Sequence, residues 1–204
     1  MSVRRTLGAV VGAALSAALV LTSTSGATAA TTSHRGGATY LALKGGATTL
    51  ALDPGTAQVL ADNHVDVAPV SEARVTSAGI AFPIQGGLIN AGTLGGRITH
   101  SGGLMFSAGG KDLTIRDFTI NARRAILTAY VEQLGGRVRI LDLDLSKAKL
   151  KATAKHLTVS NVKATLSAKA AGALNLYFGT SLFSAGLKIG TAKVSADSAM
   201  LHRR

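Results

Sequence analysis

The sequence predicts a mainly β domain, built as an antiparallel two-sheet sandwich or an open barrel, with two short helices. Two observations lead to this fold class. Pairs of glycines recur every seven to nine residues between positions 86 and 110. Short runs of apolar and polar residues separate these pairs, which is the spacing of strands and turns in an antiparallel meander. Similar short runs continue along the rest of the chain.

The first thirty residues have the three parts of a secretory signal peptide. Arg4 and Arg5 are basic, residues 7–21 are apolar and uncharged, and Ala27-Thr28-Ala29 has the A-x-A pattern of a cleavage site. The apolar run is shorter than the roughly 20 residues of a membrane-spanning helix. We therefore expect residues 1–30 to be removed, leaving a secreted protein with no transmembrane span.

The remaining chain has the length of one domain. We expect a flexible leader at 31–37, a single β-rich domain at 38–196 and a frayed tail at 197–204. The sequence has no cysteine, which excludes disulfides, cysteine metal sites and thiol catalysis. A secreted domain of this kind must be stabilised by burial of its core, and its length allows that.

The first strands lie on either side of the first helix. Residues 39–43 and 48–52 are short extended runs around Lys44-Gly45-Gly46, which predicts a hairpin. Residues 65–70 predict a strand at a sheet edge, because Pro69 cannot donate a hydrogen bond to a neighbouring strand. Further strands are predicted at 73–76, 80–84, 97–100, 104–106, 113–120, 125–131, 138–145, 149–153, 157–162 and 191–195.

Two of these strands change the parity of their apolar residues. In 113–120 the change falls between Ile115 and Phe118, and in 138–145 it falls between Ile140 and Leu141. A β-bulge near Arg116-Asp117, or burial of both faces, would account for the first change. Both changes favour strands that bend.

The helices have recognisable ends. Asp53 is a good N-cap and Pro54 fits the first helical position, so a helix should begin here and close at Asn63 in the left-handed conformation. Ser167 should cap the second helix, which Gly179 should end.

The segment Gly96-Arg-Ile-Thr-His-Ser-Gly-Gly-Leu104, followed by 113–118 and 127–131, resembles the Htaa domain family. These are secreted or cell-surface haem-binding domains of actinobacteria, with a two-sheet fold and two short helices. The resemblance covers roughly residues 80–145. It implies a non-enzymatic binding protein for haem or another flat apolar ligand.

In the family a tyrosine near the start of the domain is the iron ligand, and the histidine of the Gly-rich turn supports it. The resemblance places His100 on the turn position. The family's Trp-containing tyrosine motif is missing, since the chain has no Trp, and Tyr40 is the early tyrosine that remains. The alternative for His100 is a solvated turn histidine. Tyr177 and Phe178 could line an apolar pocket, and the alternative for Tyr177 is a core-edge position.

A lysine-rich face supports a second interpretation. Residues 145–196 contain eight lysines and no Asp or Glu, and Lys147, Lys149 and Lys151 alternate along one predicted strand. Such a row of charges could bind an anionic cell-envelope polymer, or it could protect a strand edge. Aromatic residues are missing between the lysines, which argues against a specific nucleic-acid site. We find no hydrolase, metalloprotease or phosphate-loop motif, and no histidines at metal-ligand spacing.

Overall fold

The computed structural model describes residues 39–202. The predicted signal peptide and leader lie outside them. Within this part the chain forms two α-helices, α1 (Pro54–Asp62) and α2 (Ala168–Phe178), a 3₁₀ turn at Glu132–Leu134, and twelve strands. The strands are β1 (Thr39–Leu52), β2 (Asp66–Val70), β3 (Arg74–Thr76), β4 (Gly79–Asn90), β5 (Gly96–His100), β6 (Gly103–Ala108), β7 (Lys111–Asn121), β8 (Ile126–Val131), β9 (Gly136–Asp144), β10 (Lys149–Ala152), β11 (His156–Leu166) and β12 (Lys188–His202).

Eight of the strands close into an antiparallel barrel. The order around the barrel is β7-β5-β4-β1-β12-β11-β9-β8, and β8 pairs with β7 to complete it. The mainly β class and the two helices are confirmed. The two-sheet sandwich is wrong, because every strand of the barrel has a partner on both sides. The alternative of an open barrel is confirmed in part, since the sheet is a barrel but a closed one. Four shorter strands lie outside it: β6 and β2 extend from β7, β3 pairs with β4, and β10 pairs with β11.

Closure depends on the first and last strands, which pair through thirteen residue positions from Thr39–His202 to Leu52–Gly190. The predicted hairpin at 44–46 is wrong, because β1 continues through it with only a shift of register. Gly46 permits this continuation. A β-carbon there would lie 2.1 Å from the Ser195 carbonyl oxygen. The predicted frayed tail is also wrong for residues 197–202, which belong to β12.

The two predicted bends are β-bulges. Asp117 has a φ of 55°, and the pairing of β7 with β8 shifts between Arg116 and Thr119. In β9, Ile140 is the extra residue, since Leu141 and Arg139 pair with the consecutive residues 127 and 128. A bulge adds one residue to one strand of a pair and bends it, so both bulges help to curve the sheet into a barrel.

The first helix starts as predicted and ends differently. The Asp53 carboxylate accepts a hydrogen bond from the Gly55 backbone N–H at 3.1 Å, and Pro54 is the first helical residue. Asn63 is not left-handed, with a φ of −102°. His64 takes the left-handed conformation instead, with a φ of 54°.

The second helix is tied to the barrel wall by its cap. The Ser167 hydroxyl accepts a hydrogen bond from the Ala170 N–H at 3.1 Å and donates one to the Arg139 carbonyl of β9 at 2.7 Å. Ser167 is only 2% exposed. Gly179 ends the helix, as predicted, and it does so in the left-handed conformation. One buried hydroxyl thus fixes both the start of α2 and its position against β9.

Candidate functional site

The barrel encloses an apolar cavity of about 210 Å³, lined by residues from all eight of its strands. Leu, Ile, Val, Phe and Ala supply almost all of the lining, and four residues in it carry polar side-chain atoms: Thr48, Thr56, His100 and Tyr177. No Asp, Glu, Lys or Arg of residues 39–202 lines it. A cavity of this composition favours an uncharged apolar occupant.

His100, the last residue of β5, is one of these polar residues and is 2% exposed. Its Nδ1 lies 3.1 Å from the Phe118 carbonyl oxygen, and its Nε2 lies 2.7 Å from Thr48 Oγ1. Since a carbonyl can only accept, Nδ1 carries the proton and donates it, and Nε2 accepts from the Thr48 hydroxyl. The solvated turn histidine is therefore excluded, and both ring nitrogens have partners inside the protein.

The surroundings keep this imidazole neutral. Burial lowers the pKa of His100 from 6.5 to about 4, and the hydrogen bond to Phe118 opposes the effect only in part. The Phe118 ring packs edge to face on Phe82, with centroids 4.8 Å apart. The bulge at Asp117 interrupts the pairing of β7 next to Phe118, beside the carbonyl that the imidazole uses.

The His-Ser-Gly-Gly turn packs tightly against the barrel. Ser101 is buried, and its backbone N–H donates to the Pro83 carbonyl at 3.0 Å. Gly102 has a φ of 79°, and a β-carbon there would lie 2.4 Å from the Ala73 nitrogen. The turn therefore requires glycine at this position, and it fixes the chain immediately after His100.

Tyr40 is not brought to His100. It lies near the start of β1, where it pairs with Asn90 and Leu201, and it does not contribute to the cavity lining. Thr48, the partner of His100, lies eight residues further along the same strand. That spacing corresponds to about 26 Å of extended strand. The two residues that the resemblance paired are thus well separated.

Tyr177 lines the same cavity as His100, from α2. Its hydroxyl donates to the Asp112 carbonyl at 2.6 Å, and Lys111 Nζ donates to the Tyr177 carbonyl at 2.9 Å. Phe178 packs edge to face on Tyr177, with centroids 5.1 Å apart, and contacts the hydrophobic core without joining the cavity lining. The phenol therefore holds the end of α2 against the start of β7.

The three predicted lysines lie outside the barrel. Lys147 is in the turn before β10, and Lys149 and Lys151 are exposed on β10, which pairs with β11. Lys149 also lines a shallow outer groove together with Lys193. The remaining residues of this groove are small or neutral: Thr49, Ala51, Ala78, Ser160, Asn161, Thr191, Ala192 and Ser195.

Sequence reasoning missed a polar cluster on the same outer surface. His156 Nε2 lies 3.1 Å from Ser195 Oγ, and His156 Nδ1 lies 3.5 Å from Asp197 Oδ1. The Asp197 side chain is 74% exposed. It therefore lacks the burial with which the carboxylate of a hydrolase triad orients its imidazole. These residues come together only through the pairing of β11 with β12. The cluster therefore leaves no motif in the local sequence.

Two further findings concern residues 39–202. They contain no group of three or more His, Cys, Asp or Glu side chains that could hold a metal ion. No helix among them is both long enough and apolar enough to span a membrane.

No protein-family model matches the chain, and no curated protein sequence matches it significantly. Solved structures do match. The C-terminal domain of HtaA from Corynebacterium glutamicum is 16% identical to this chain, with a TM-score of 0.59. The match covers 78% of this chain and 99% of the HtaA domain. The N-terminal domain of HtaA is 13% identical, covers 76% of this chain and 97% of its own, and has a TM-score of 0.50.

The heme-binding protein HtaB of the same organism is 9% identical and covers 81% of this chain and 98% of its own. Its TM-score is 0.46. At these identities the matches to HtaA establish a likeness of fold. That likeness confirms the resemblance of this chain to the Htaa family.

Proposed function

We propose that this protein is a non-enzymatic binding protein that holds a small apolar ligand inside the barrel. The observation that carries the proposal is the 210 Å³ cavity, to whose lining residues 39–202 contribute no charged side chain. Pockets of this kind are the usual sites of small-molecule binding. The resemblance to the Htaa family makes haem, or another flat apolar molecule, the first ligand to test.

The residues of the cavity do not fit the coordination of haem iron. Both nitrogens of His100 are hydrogen-bonded, Tyr40 lies elsewhere on β1, and the Tyr177 hydroxyl is used by a backbone carbonyl. The cavity is also smaller than the roughly 300–1,000 Å³ of a typical ligand pocket. Haem would have to enlarge the cavity, and the apolar porphyrin ring would have to supply the affinity.

A haemin titration of the purified protein, followed by absorbance, tests the haem proposal. The variants His100→Ala and Tyr40→Phe belong beside the wild type, since His100 lines the cavity and Tyr40 does not. A spectral change that saturates at one equivalent, and that His100→Ala alters while Tyr40→Phe does not, supports haem in the barrel. A weak response without saturation, the same in all three proteins, rejects haem as the ligand.

We also propose that the protein is secreted, on the basis of the signal pattern in residues 1–30. Expression in an actinobacterial host followed by intact-mass measurement of the culture supernatant tests this. A mature protein that begins close to Thr31 is expected. A full-length chain retained in the cell would contradict the proposal.

A second candidate function is contact with an anionic cell-envelope polymer through the outer lysines. The supporting observation is the groove in which Lys149 of β10 and Lys193 of β12 lie together. Retention on an anionic polymer should fall when salt is raised, because exposed charges are screened. It should also fall in a Lys147/Lys149/Lys151→Gln variant, but not in a Lys44→Gln control. Equal retention of both variants would count against this face as a binding site.

A further inference from the structure

The polar atoms of the cavity are already paired within the protein. Thr48 donates to His100, Thr56 donates to the Lys188 carbonyl, and Tyr177 donates to the Asp112 carbonyl. His100 donates in turn to the Phe118 carbonyl. A ligand in the barrel therefore meets hydrocarbon, and no donor in the lining is left without a partner.

Coordination of a metal requires a free lone pair on the imidazole. In the tautomer fixed by Phe118, that lone pair is on Nε2 and faces the Thr48 hydroxyl. Thr48 Oγ1 lies 2.7 Å from Nε2, so it occupies the position in which a metal ion would bind. Rotating the ring away would break both of its hydrogen bonds, to Phe118 and to Thr48, inside the protein, which is costly.

We infer that the cavity recognises an uncharged apolar ligand by contact alone, and that the Thr48 hydroxyl excludes metal coordination by His100. The iron of a porphyrin then adds nothing to its affinity. This inference rests on the proposed binding function and narrows its ligand class. The ligand that fits without rearrangement is a small aromatic or alicyclic molecule, since an apolar cavity of ~150 Å³ is known to hold benzene.

The test uses the neutral fluorescent probe N-phenyl-1-naphthylamine, with haemin and metal-free protoporphyrin as competitors. Saturable probe binding is expected, with binding of the anionic probe 1-anilinonaphthalene-8-sulfonate at least tenfold weaker, because the lining offers no counter-charge. Haemin and metal-free protoporphyrin carry two propionates each and exceed the cavity in size, so both should compete with the neutral probe only weakly, with affinities within about twofold of each other. Tyr40→Phe, which is remote from the cavity, should behave like the wild type.

The variant Thr48→Ala tests the assigned role of the hydroxyl. It frees the Nε2 lone pair and the space in front of it, so haemin should gain at least tenfold over metal-free protoporphyrin. The further change His100→Ala in this background should abolish the gain.

Two different results would overturn two different claims. A wild-type protein that binds haemin at least tenfold more tightly than metal-free protoporphyrin would overturn the inference and leave the proposed binding function intact. A protein that binds none of the probes in a saturable manner would overturn the proposed function, and the inference with it.

Discussion

Acidification should destabilise this protein through His100. The pKa of the folded group is lowered to about 4 by burial, against an ordinary value of 6.5. The unfolded chain therefore takes up a proton more readily than the folded one. The stabilisation is complete above pH 6.5 and is lost as the pH falls from 6.5 towards 4. A difference of about 2.5 pKa units corresponds to about 3 kcal/mol, at 1.36 kcal/mol per unit.

Urea unfolding at pH 7.5 and at pH 4.5 measures this loss. The matched variant is His100→Gln, whose neutral amide can donate and accept in the same place. The wild type should lose more unfolding free energy than the variant on acidification, by about 2–3 kcal/mol. His64→Gln is the control, because His64 is exposed on the surface. This variant should lose as much unfolding free energy on acidification as the wild type.

Equal losses in the wild type and His100→Gln would refute the reasoning. An NMR titration of the imidazole gives a second measurement that does not depend on the variant. The His100 ring should keep its Nδ1 proton and remain neutral down to pH 5. A ring that becomes protonated near pH 6.5 in the folded protein would show that burial does not control its charge.

Three further changes have defined outcomes. Thr48→Val leaves the His100 Nε2 acceptor without its partner, so urea unfolding should show a loss of about 1–3 kcal/mol of unfolding free energy. A loss below about 0.5 kcal/mol, which is close to the error of such a measurement, would mean that this hydrogen bond adds little stability. Ser167→Ala removes the cap of α2 and the donor to the Arg139 carbonyl, so about 1–3 kcal/mol of unfolding free energy should be lost. Ser184 is exposed, so the control Ser184→Ala should change the stability little. Ala164→Leu adds bulk to the cavity wall, where Ala164 is 1% exposed, and probe affinity should fall at least tenfold; unchanged affinity would place the ligand elsewhere.

The local features of the fold could be predicted from the sequence because they depend on neighbouring residues. Helix caps, the bulge at Asp117 and the extra residue at Ile140 leave their mark within a few positions. Closure of the barrel could not be predicted. It depends on the pairing of β1 with β12, in which the paired residues are more than 130 positions apart in the sequence. In addition, residues Ser195 to Ala199 are small and give only a weak alternation of apolar and polar residues.

The candidate site was predictable in part for the same reason. His100 stands out because it precedes a Gly-Gly turn, and Tyr177 because it is next to Phe178 in a predicted helix. Thr48 has no such signal, since nothing in the local sequence distinguishes it from Thr49. Its role follows only from the pairing of β1 with β4 and of β4 with β5. Tyr40 is predicted as an iron ligand only from its early position in the sequence, and the strand register places it far from the His100 imidazole.

The energetics of the interior favour a binding site over a purely structural core. An unfilled cavity lowers stability by about 24 cal/mol for each Å³, so 210 Å³ corresponds to about 5 kcal/mol. That is comparable with the whole stability of a typical domain, about 5–15 kcal/mol. A ligand that fills the cavity would recover much of this free energy as binding affinity. Because the polar atoms of the lining are already satisfied, such a ligand would add apolar contacts without breaking any hydrogen bond.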